Sequence, residues 1–311
     1  MNFILHPSSF ILCSWRCVFE PSFNLKDTRI TIVGLGLMGG SLAMVLKGKN
    51  LCREIVALVR RDEAARKAKR GGVVDQATTD PATALREADL VIFSTPVRVI
   101  VRQIGELAPL YKPGAVITDM GSTKQEIVRA MAALPDSVHP LGSHPMCGKE
   151  QAGLDAAEAT LFEDAPWILT PLARTPPEAT RLVQDLAEAI GAKPQLLDAE
   201  RHDKLVAAIS HLPYTLAVAL VLSAQSVAED DPAVWEVAAS GFRDTSRIAA
   251  SDVTMMLDIL LTNREAVRQM LTIAQAQLEQ FAQVLNTNDE EKLRALMERV
   301  AQQRKSLYHT L

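Results

Sequence analysis

The sequence predicts an α/β protein in two parts, a parallel-sheet domain over residues 28–197 followed by an all-helical domain over 198–311. Three observations carry this. From Arg29, short apolar runs bounded by turns alternate with helical stretches, the pattern of βαβ units whose strands are buried on both faces. After Leu197 the strand-like runs stop, which places the boundary near Asp198. The length, 311 residues, is that of about two domains.

In chain order, strands are expected at 29–33, 54–59, 90–94, 115–119, 167–170 and 195–197, separated by helices at 38–47, 62–69, 97–107, 124–133 and 177–190. The helical part reads as 201–227, 233–239, 252–285 and 289–304. Its apolar stripes must be buried somewhere, and a second copy of the chain is the expected partner, giving a homodimer through the helical domain. Residues 1–27 are broken by Pro7 and Pro21 and fit neither a signal peptide nor a membrane span. They are expected as a poorly ordered extension, with a short segment packed on the surface as the alternative. The apolar run from Leu212 to Ala224 carries Pro213, Tyr214 and Ser223, is shorter than the roughly 18 residues a span needs, and reads as a buried helix.

Hydrophobic residues make up 48% and charged residues 23%, with a formal net charge of -4. That balance offers no basic face for nucleic acid or an anionic membrane. The four cysteines are scattered, with no paired metal-ligand spacing and no disulfide framework, so no metal site is expected and a reducing cytoplasm fits.

Gly34-Leu35-Gly36-Leu37-Met38-Gly39 follows the first strand and opens a helix. In that context Gly34, Gly36 and Gly39 allow a tight turn, close backbone approach to a pyrophosphate and close helix–sheet packing, and the helix start at Leu37 and Met38 offers N–H groups to phosphate. This is the dinucleotide-binding pattern of a Rossmann-type domain. The second strand ends in Arg60-Arg61 where an NAD site usually has an acidic residue, and arginines there suit a 2′-phosphate. NADP is therefore preferred over NAD. Thr95 and Pro96, at the end of the 90–94 strand, are expected on the same carboxyl edge.

Two loops at that edge carry candidate chemistry. Ser122, after the 115–119 strand, reads from its position as an N-cap for the next helix. His144, in Gly142-Ser143-His144-Pro145-Met146, reads as a loop histidine placed to accept a proton, since an unperturbed imidazole titrates near 6.5. His139 reads as a surface residue, and Cys147 as a small buried one with no base spaced to activate it. In the helical part His211 reads first as a core histidine. The segment Ser240 to Arg247 gathers Arg243, Asp244 and Arg247 between helices, which suits a carboxylate-bearing small molecule.

Taken in order, Val33 to Leu42, Gly121-Ser122-Thr123-Lys124, Gly142 to Met146, Ser210-His211-Leu212-Pro213 and Gly241 to Arg247 resemble the prephenate and arogenate dehydrogenases, over nearly everything from Arg29 onward. The resemblance implies a Rossmann domain, a helical dimerisation domain, and oxidation of prephenate or arogenate at the carbinol carbon with hydride passed to NAD(P) and CO2 lost as the ring becomes aromatic, in tyrosine biosynthesis. It implies that His144 accepts the hydroxyl proton and that Ser122 positions His144 and the substrate hydroxyl, which replaces the N-cap reading. It also implies that Arg247 pairs with a substrate carboxylate, with Arg243 as a second positive charge, and that His211 and Asp244 shape the cavity. The Arg60-Arg61 ending resembles the NADP-dependent arogenate enzymes of cyanobacterial type, and Asp155 is a candidate for the arogenate amine, or else a helix start. Met256 and Leu257 stand where some prephenate-using members have an aromatic residue and an arginine. Two rival readings are a β-hydroxyacid-type dehydrogenase, for which Lys204 is the candidate lysine, and a non-catalytic NADP-binding protein.

Overall fold

Eight strands form one sheet: β1 (Arg29–Val33), β2 (Glu54–Leu58), β3 (Gln76–Thr78), β4 (Leu90–Phe93), β5 (Val116–Asp119), β6 (His139–Pro145), β7 (Pro166–Pro171) and β8 (Lys193–Leu196). The computed structural model describes residues 24–149 and 151–309. The strand order is β3-β2-β1-β4-β5-β6-β7-β8, parallel except where β6 meets β7. The chain leaves β1 toward β3 and then returns to the other side of β1, so the switch point where open α/β sheets bind ligands lies between β1 and β4.

Helices cover both faces: α1 (Leu37–Gly48), α2 (Asp62–Arg70), α3 (Pro81–Leu85), α4 (Val97–Glu106), α5 (Gln125–Ala132) and α6 (Pro177–Ala189). Alternation along the strands divides the core. Ile30, Ile32, Leu90 and Ile92 pack toward Leu42 and Leu46 of α1 and Leu182 and Leu186 of α6, while Val33, Val91, Phe93 and Ile117 pack toward Ile100 and Ile104 of α4 and Ile127 and Met131 of α5. Fully burying a side chain such as Ile92 contributes about 1.5–3 kcal/mol.

Several elements differ from expectation. β3 is a three-residue edge strand of mostly polar residues, and α3 is set by its cap rather than by periodicity: Asp80 accepts from the Ala82 and Thr83 N–H groups and Pro81 opens the helix. β6 was expected as a loop. Gly142 admits the close neighbour, since a Cβ there would collide with the Thr170 hydroxyl of β7. Residues 24–27 are not part of a poorly ordered extension. Asn24 caps a 3-10 turn over Leu25–Asp27, and Leu25 packs on the sheet core; the remainder of the 1–27 segment lies outside the described residues.

The helical part comprises α7 (Ala199–Val206), a π-helical turn over Ala207–His211, α8 (Leu212–Ala228), α9 (Ala233–Glu236), α10 (Ser240–Ser246), α11 (Val253–Thr262), α12 (Arg264–Asn286) and α13 (Glu290–His309). The π turn falls where Pro213 cannot return an N–H to the preceding turn. The expected single helix 252–285 is broken at Asn263. The segment around Arg243 is itself a helix rather than a link, packed against α8.

The reading of 212–224 as a buried helix is corrected, because Ala217 is the buried residue of α8 and Leu222 is 57% exposed. The run Ala199–Ala228 is long and apolar enough to cross a membrane by length and composition. Its first turn, however, carries Arg201, His202, Asp203 and Lys204, and His202 and Asp203 are buried. The apolar face continues onto α12 and α13 as a groove lined by Leu212, Leu216, Ile273, Phe281, Met297 and Val300. Within one chain nothing covers it among the described residues.

Candidate active site

The cofactor cradle is built at the switch point. Gly34 has a φ of +96°, and a Cβ there would sit 2.7 Å from the Thr95 methyl and 2.9 Å from the Ser94 carbonyl oxygen, so the ends of β1 and β4 meet only over glycine. A side chain on Gly39 would collide with the Gly34 carbonyl oxygen, whereas Gly36 faces open space. Gly36 precedes α1 without a side-chain cap, leaving the first N–H groups, those of Leu37 and Met38, to an anion. The buried Ser94 hydroxyl has no partner among the described residues and lies 3.0 Å from where a Gly39 Cβ would be. An open glycine cradle, an uncapped helix start and an orphaned hydroxyl fit a dinucleotide pyrophosphate.

Arg60 and Arg61 follow β2 and are exposed. The nearby acid, Asp62, is turned away, accepting from the Thr79 hydroxyl at 3.0 Å. Thr95 donates to Gln103 at 3.1 Å, and Pro96 precedes α4.

Next along the same edge, at the carboxyl ends of β5 and β6, lies the cluster that holds the candidate His144. Asp119 ends β5 and gathers the Ser143 N–H at 2.9 Å and the Gly121 N–H at 2.7 Å, together with the Lys124 ammonium. Lys124 also donates to the Ser143 carbonyl at 2.6 Å. Both charged side chains are fully buried. Burial opposes both charges, pushing the Asp119 carboxyl up and the Lys124 ammonium down, and the pair holds its charge through mutual attraction and the surrounding donors. This knot pins Ser143, and with it the next residue, His144.

His144 sits at the end of β6, opposite Ile168 of β7; the sequence reading placed it in a loop, but on the correct edge. Its ring is enclosed yet not wholly shut off from solvent. Burial, then the proximity of His202, Lys124 and His211, holds its pKa well below the ordinary 6.5, so it is neutral at pH 7. Its Nδ1 is 2.9 Å from His202 Nε2, and His202 Nδ1 is 2.8 Å from Asp203 Oδ1. Asp203 also accepts from the Lys124 and Gln125 N–H groups at 2.7 and 2.9 Å. A carboxylate from the helical domain thus caps α5, and Ser122 does not. His202 and Asp203 were not singled out in the sequence; an adjacent His-Asp pair in the first turn after the boundary was the available signal.

Asn263 donates to the Asp203 carbonyl at 2.7 Å, which fixes its amide orientation. The same NH2 group lies 3.2 Å from His211 Nδ1, so that nitrogen accepts and the proton of neutral His211 is on Nε2. His211 is 1% exposed, and burial lowers its pKa to about 4. Because the folded value lies below the unfolded one, unfolding takes up a proton between about pH 6.5 and 4, and stability falls as pH drops through that window. For His211 alone the loss at pH 5 is ~2 kcal/mol. Urea titrations at pH 7 and pH 5 should show the lower midpoint at pH 5, and equal midpoints would contradict the assignment.

The other candidates are not all drawn to this centre. Asp155 follows Gly153, whose φ is +91°, and its carboxylate, 83% exposed, pairs with Lys67 of α2 at 2.6 Å. Arg243 pairs with Asp244 at 3.0 Å on the exposed face of α10, and Arg247 begins the 3-10 turn that follows. His139 is half-buried at the far end of β6, not on the surface. Burial pushes the Cys147 thiol up to about 12, which leaves it inert at neutral pH. Lys204, the residue a β-hydroxyacid enzyme would need, is exposed and pairs with Glu200 at 2.6 Å.

Comparison with known proteins matches this architecture in both halves. Residues 42–196 match the prephenate dehydrogenase nucleotide-binding domain, and residues 198–299 the prephenate dehydrogenase dimerization domain. The chain is 36% identical to the cyclohexadienyl dehydrogenase of Zymomonas mobilis, over 84% of this chain and 89% of that one. It is 33% identical to the prephenate dehydrogenase of Lactococcus lactis, over 87% and 75%. Among solved structures, a prephenate dehydrogenase from A. aeolicus in complex with hydroxyphenyl propionate and NAD+ superposes with a TM-score of 0.85 at 29% identity, covering 92% of this chain and all of that one. A Synechocystis arogenate dehydrogenase gives a TM-score of 0.77 at 29% identity, covering 90% and 99%. With both halves matched and these relatives aligned over most of their length, the chain belongs to the prephenate dehydrogenase family.

Proposed function

We propose that this chain, an NAD(P)-dependent dehydrogenase catalysing an oxidative decarboxylation in tyrosine biosynthesis, uses His144 as the base that takes the proton from the substrate's ring hydroxyl. The observation that carries this is a neutral, enclosed imidazole at the carboxyl end of β6, on the edge that holds the glycine cradle, with Nδ1 engaged by His202. A nicotinamide cofactor held at the Gly34, Gly36 and Gly39 turn and the Leu37 and Met38 N–H groups would supply the hydride acceptor. Loss of hydride from the carbinol carbon makes the oxygen more acidic, His144 receives its proton, and the electron pair of the bond to the leaving CO2 completes the aromatic ring. Aromatisation drives the decarboxylation, so the protein's tasks are geometry and proton acceptance.

Ser122 is assigned to the substrate hydroxyl, Arg247 and Arg243 to its carboxylates, and His211 and Asp244 to the cavity wall. We assign residues 28–197 to the cofactor, 198–311 to substrate and dimerisation, and the groove along α8, α12 and α13 to a second copy of the chain; the match of residues 198–299 to a dimerization domain supports this. Sedimentation should give twice the chain mass. The free thiols of Cys52 and Cys147 suit a reducing cytoplasm.

The test is purified protein with NAD or NADP against prephenate and arogenate, followed by the absorbance of reduced cofactor. Failure to reduce cofactor with either substrate would sink the reading. Asp155, paired with Lys67 in the free protein, is assigned to the arogenate amine, and the assay decides between the two substrates. NADP is preferred on Arg60 and Arg61. Replacing both by alanine should raise the KM for NADP about tenfold or more while that for NAD moves little, since each charge-assisted bond is worth about 1.5–3 kcal/mol. Equal effects on both cofactors would refute the preference.

A further inference from the structure

We propose that His202 and Asp203 are positioning residues that fix the tautomer of His144, so that helical-domain docking places the reactive lone pair on Nε2. This rests on the assignment of His144 as the base. An ionised carboxylate only accepts hydrogen bonds, and Asp203 Oδ1 is 2.8 Å from His202 Nδ1, so that nitrogen carries a proton. Neutral His202 then has a lone pair on Nε2. That atom lies 2.9 Å from His144 Nδ1, which must therefore donate, and the lone pair of neutral His144 falls on Nε2.

Asp203 is itself held by three further bonds to other parts of the protein. Its carboxylate takes the N–H groups of Lys124 and Gln125 at the start of α5, and its carbonyl takes the Asn263 amide. His202 and Asp203 are 1% and 0% exposed, so water does not compete for the chain of bonds. The base stands on a strand of the cofactor domain and its orienting group on the first helix of the other domain, 58 residues away. The two rings meet edge-on, 72° apart with centroids 5.1 Å apart, which aims the lone pair of His202 at its neighbour's N–H. When His144 takes up a proton, both of its nitrogens donate, and the existing bond to His202 is kept, so proton acceptance needs no rearrangement on that side.

The test is nitrogen NMR of the full-length protein labelled with 15N-histidine, at neutral pH, with His144→Ala and His202→Phe variants to assign the signals and for kinetics. The expected spectrum has His144 and His202 both protonated on Nδ1 and unprotonated on Nε2. His202→Phe should cost at least about tenfold in kcat, with KM changed much less, and should move the His144 proton to a mixture of the two nitrogens. A wild-type His144 protonated on Nε2 overturns the proposal, as does a His202→Phe variant with wild-type kcat. If His202→Phe does not fold, the wild-type spectrum decides alone. Full activity in His144→Ala would remove the base assignment, and the relay with it, whereas loss of activity there combined with an Nε2-protonated His144 defeats the relay only.

Discussion

Replacing His144 with asparagine is expected to lower kcat by about 10²–10⁴-fold, the usual worth of a positioned base, with far less change in cofactor affinity. Asparagine retains a polar side chain of moderate size and removes only the nitrogen that can take a proton. The pH dependence gives a second reading of the same residue. Burial and the neighbouring His202, Lys124 and His211 hold the His144 pKa well below 6.5. The neutral ring is the active form, so protonation stops the reaction and the acid limb of kcat/KM falls below the ordinary histidine range. Steady-state rates from pH 4.5 to 8 check this, and a limb centred at or above 6.5 would contradict the environment described here. In the asparagine variant that limb should vanish from the residual rate.

The local parts of this fold were legible because their causes are local. Gly34 needs its positive φ within a six-residue turn, and the apolar strands β1, β4 and β5 announce burial on both faces by composition alone. β6 was read as a loop because Pro140, Gly142 and Pro145 are poor strand residues, and its strand geometry is imposed by β5 and β7 on either side. Asp155 shows how little spacing says about a loop. It is only eleven positions from His144, yet one glycine turn sends it to α2. His202, the hydrogen-bond neighbour of His144, was missed because it stands 58 positions downstream in another domain, and no periodicity or spacing relates a strand end to a helix start across that gap. The stripe on α8 was read as buried, and within one chain it stands open, because sequence shows that a face is apolar while only the fold shows whether the same chain covers it.

Lys124→Met is expected to destabilise the protein by about 3–5 kcal/mol, the cost of leaving one member of a buried ion pair alone. Methionine fills much the same volume, so the effect is electrostatic rather than a cavity. It strands the Asp119 carboxylate, fully buried with Lys124, and removes the donor to the Ser143 carbonyl. Because Asp119 still accepts from the Ser143 and Gly121 N–H groups, its remaining route to relief is to take up a proton. Stability in this variant should therefore improve relative to wild type as the pH is lowered toward 5, narrowing the gap in urea midpoints, whereas a packing defect would leave the gap unchanged. The double variant Lys124→Met with Asp119→Asn removes both charges and should recover much of the loss. The activity of that double variant then separates two roles. If Lys124 acts only by pinning Ser143 and the strand end, His144 should be displaced and kcat should stay low even where stability returns. If its charge instead serves mainly to keep His144 neutral, the acid limb of the rate profile should move up toward 6.5 while kcat at pH 8 is preserved.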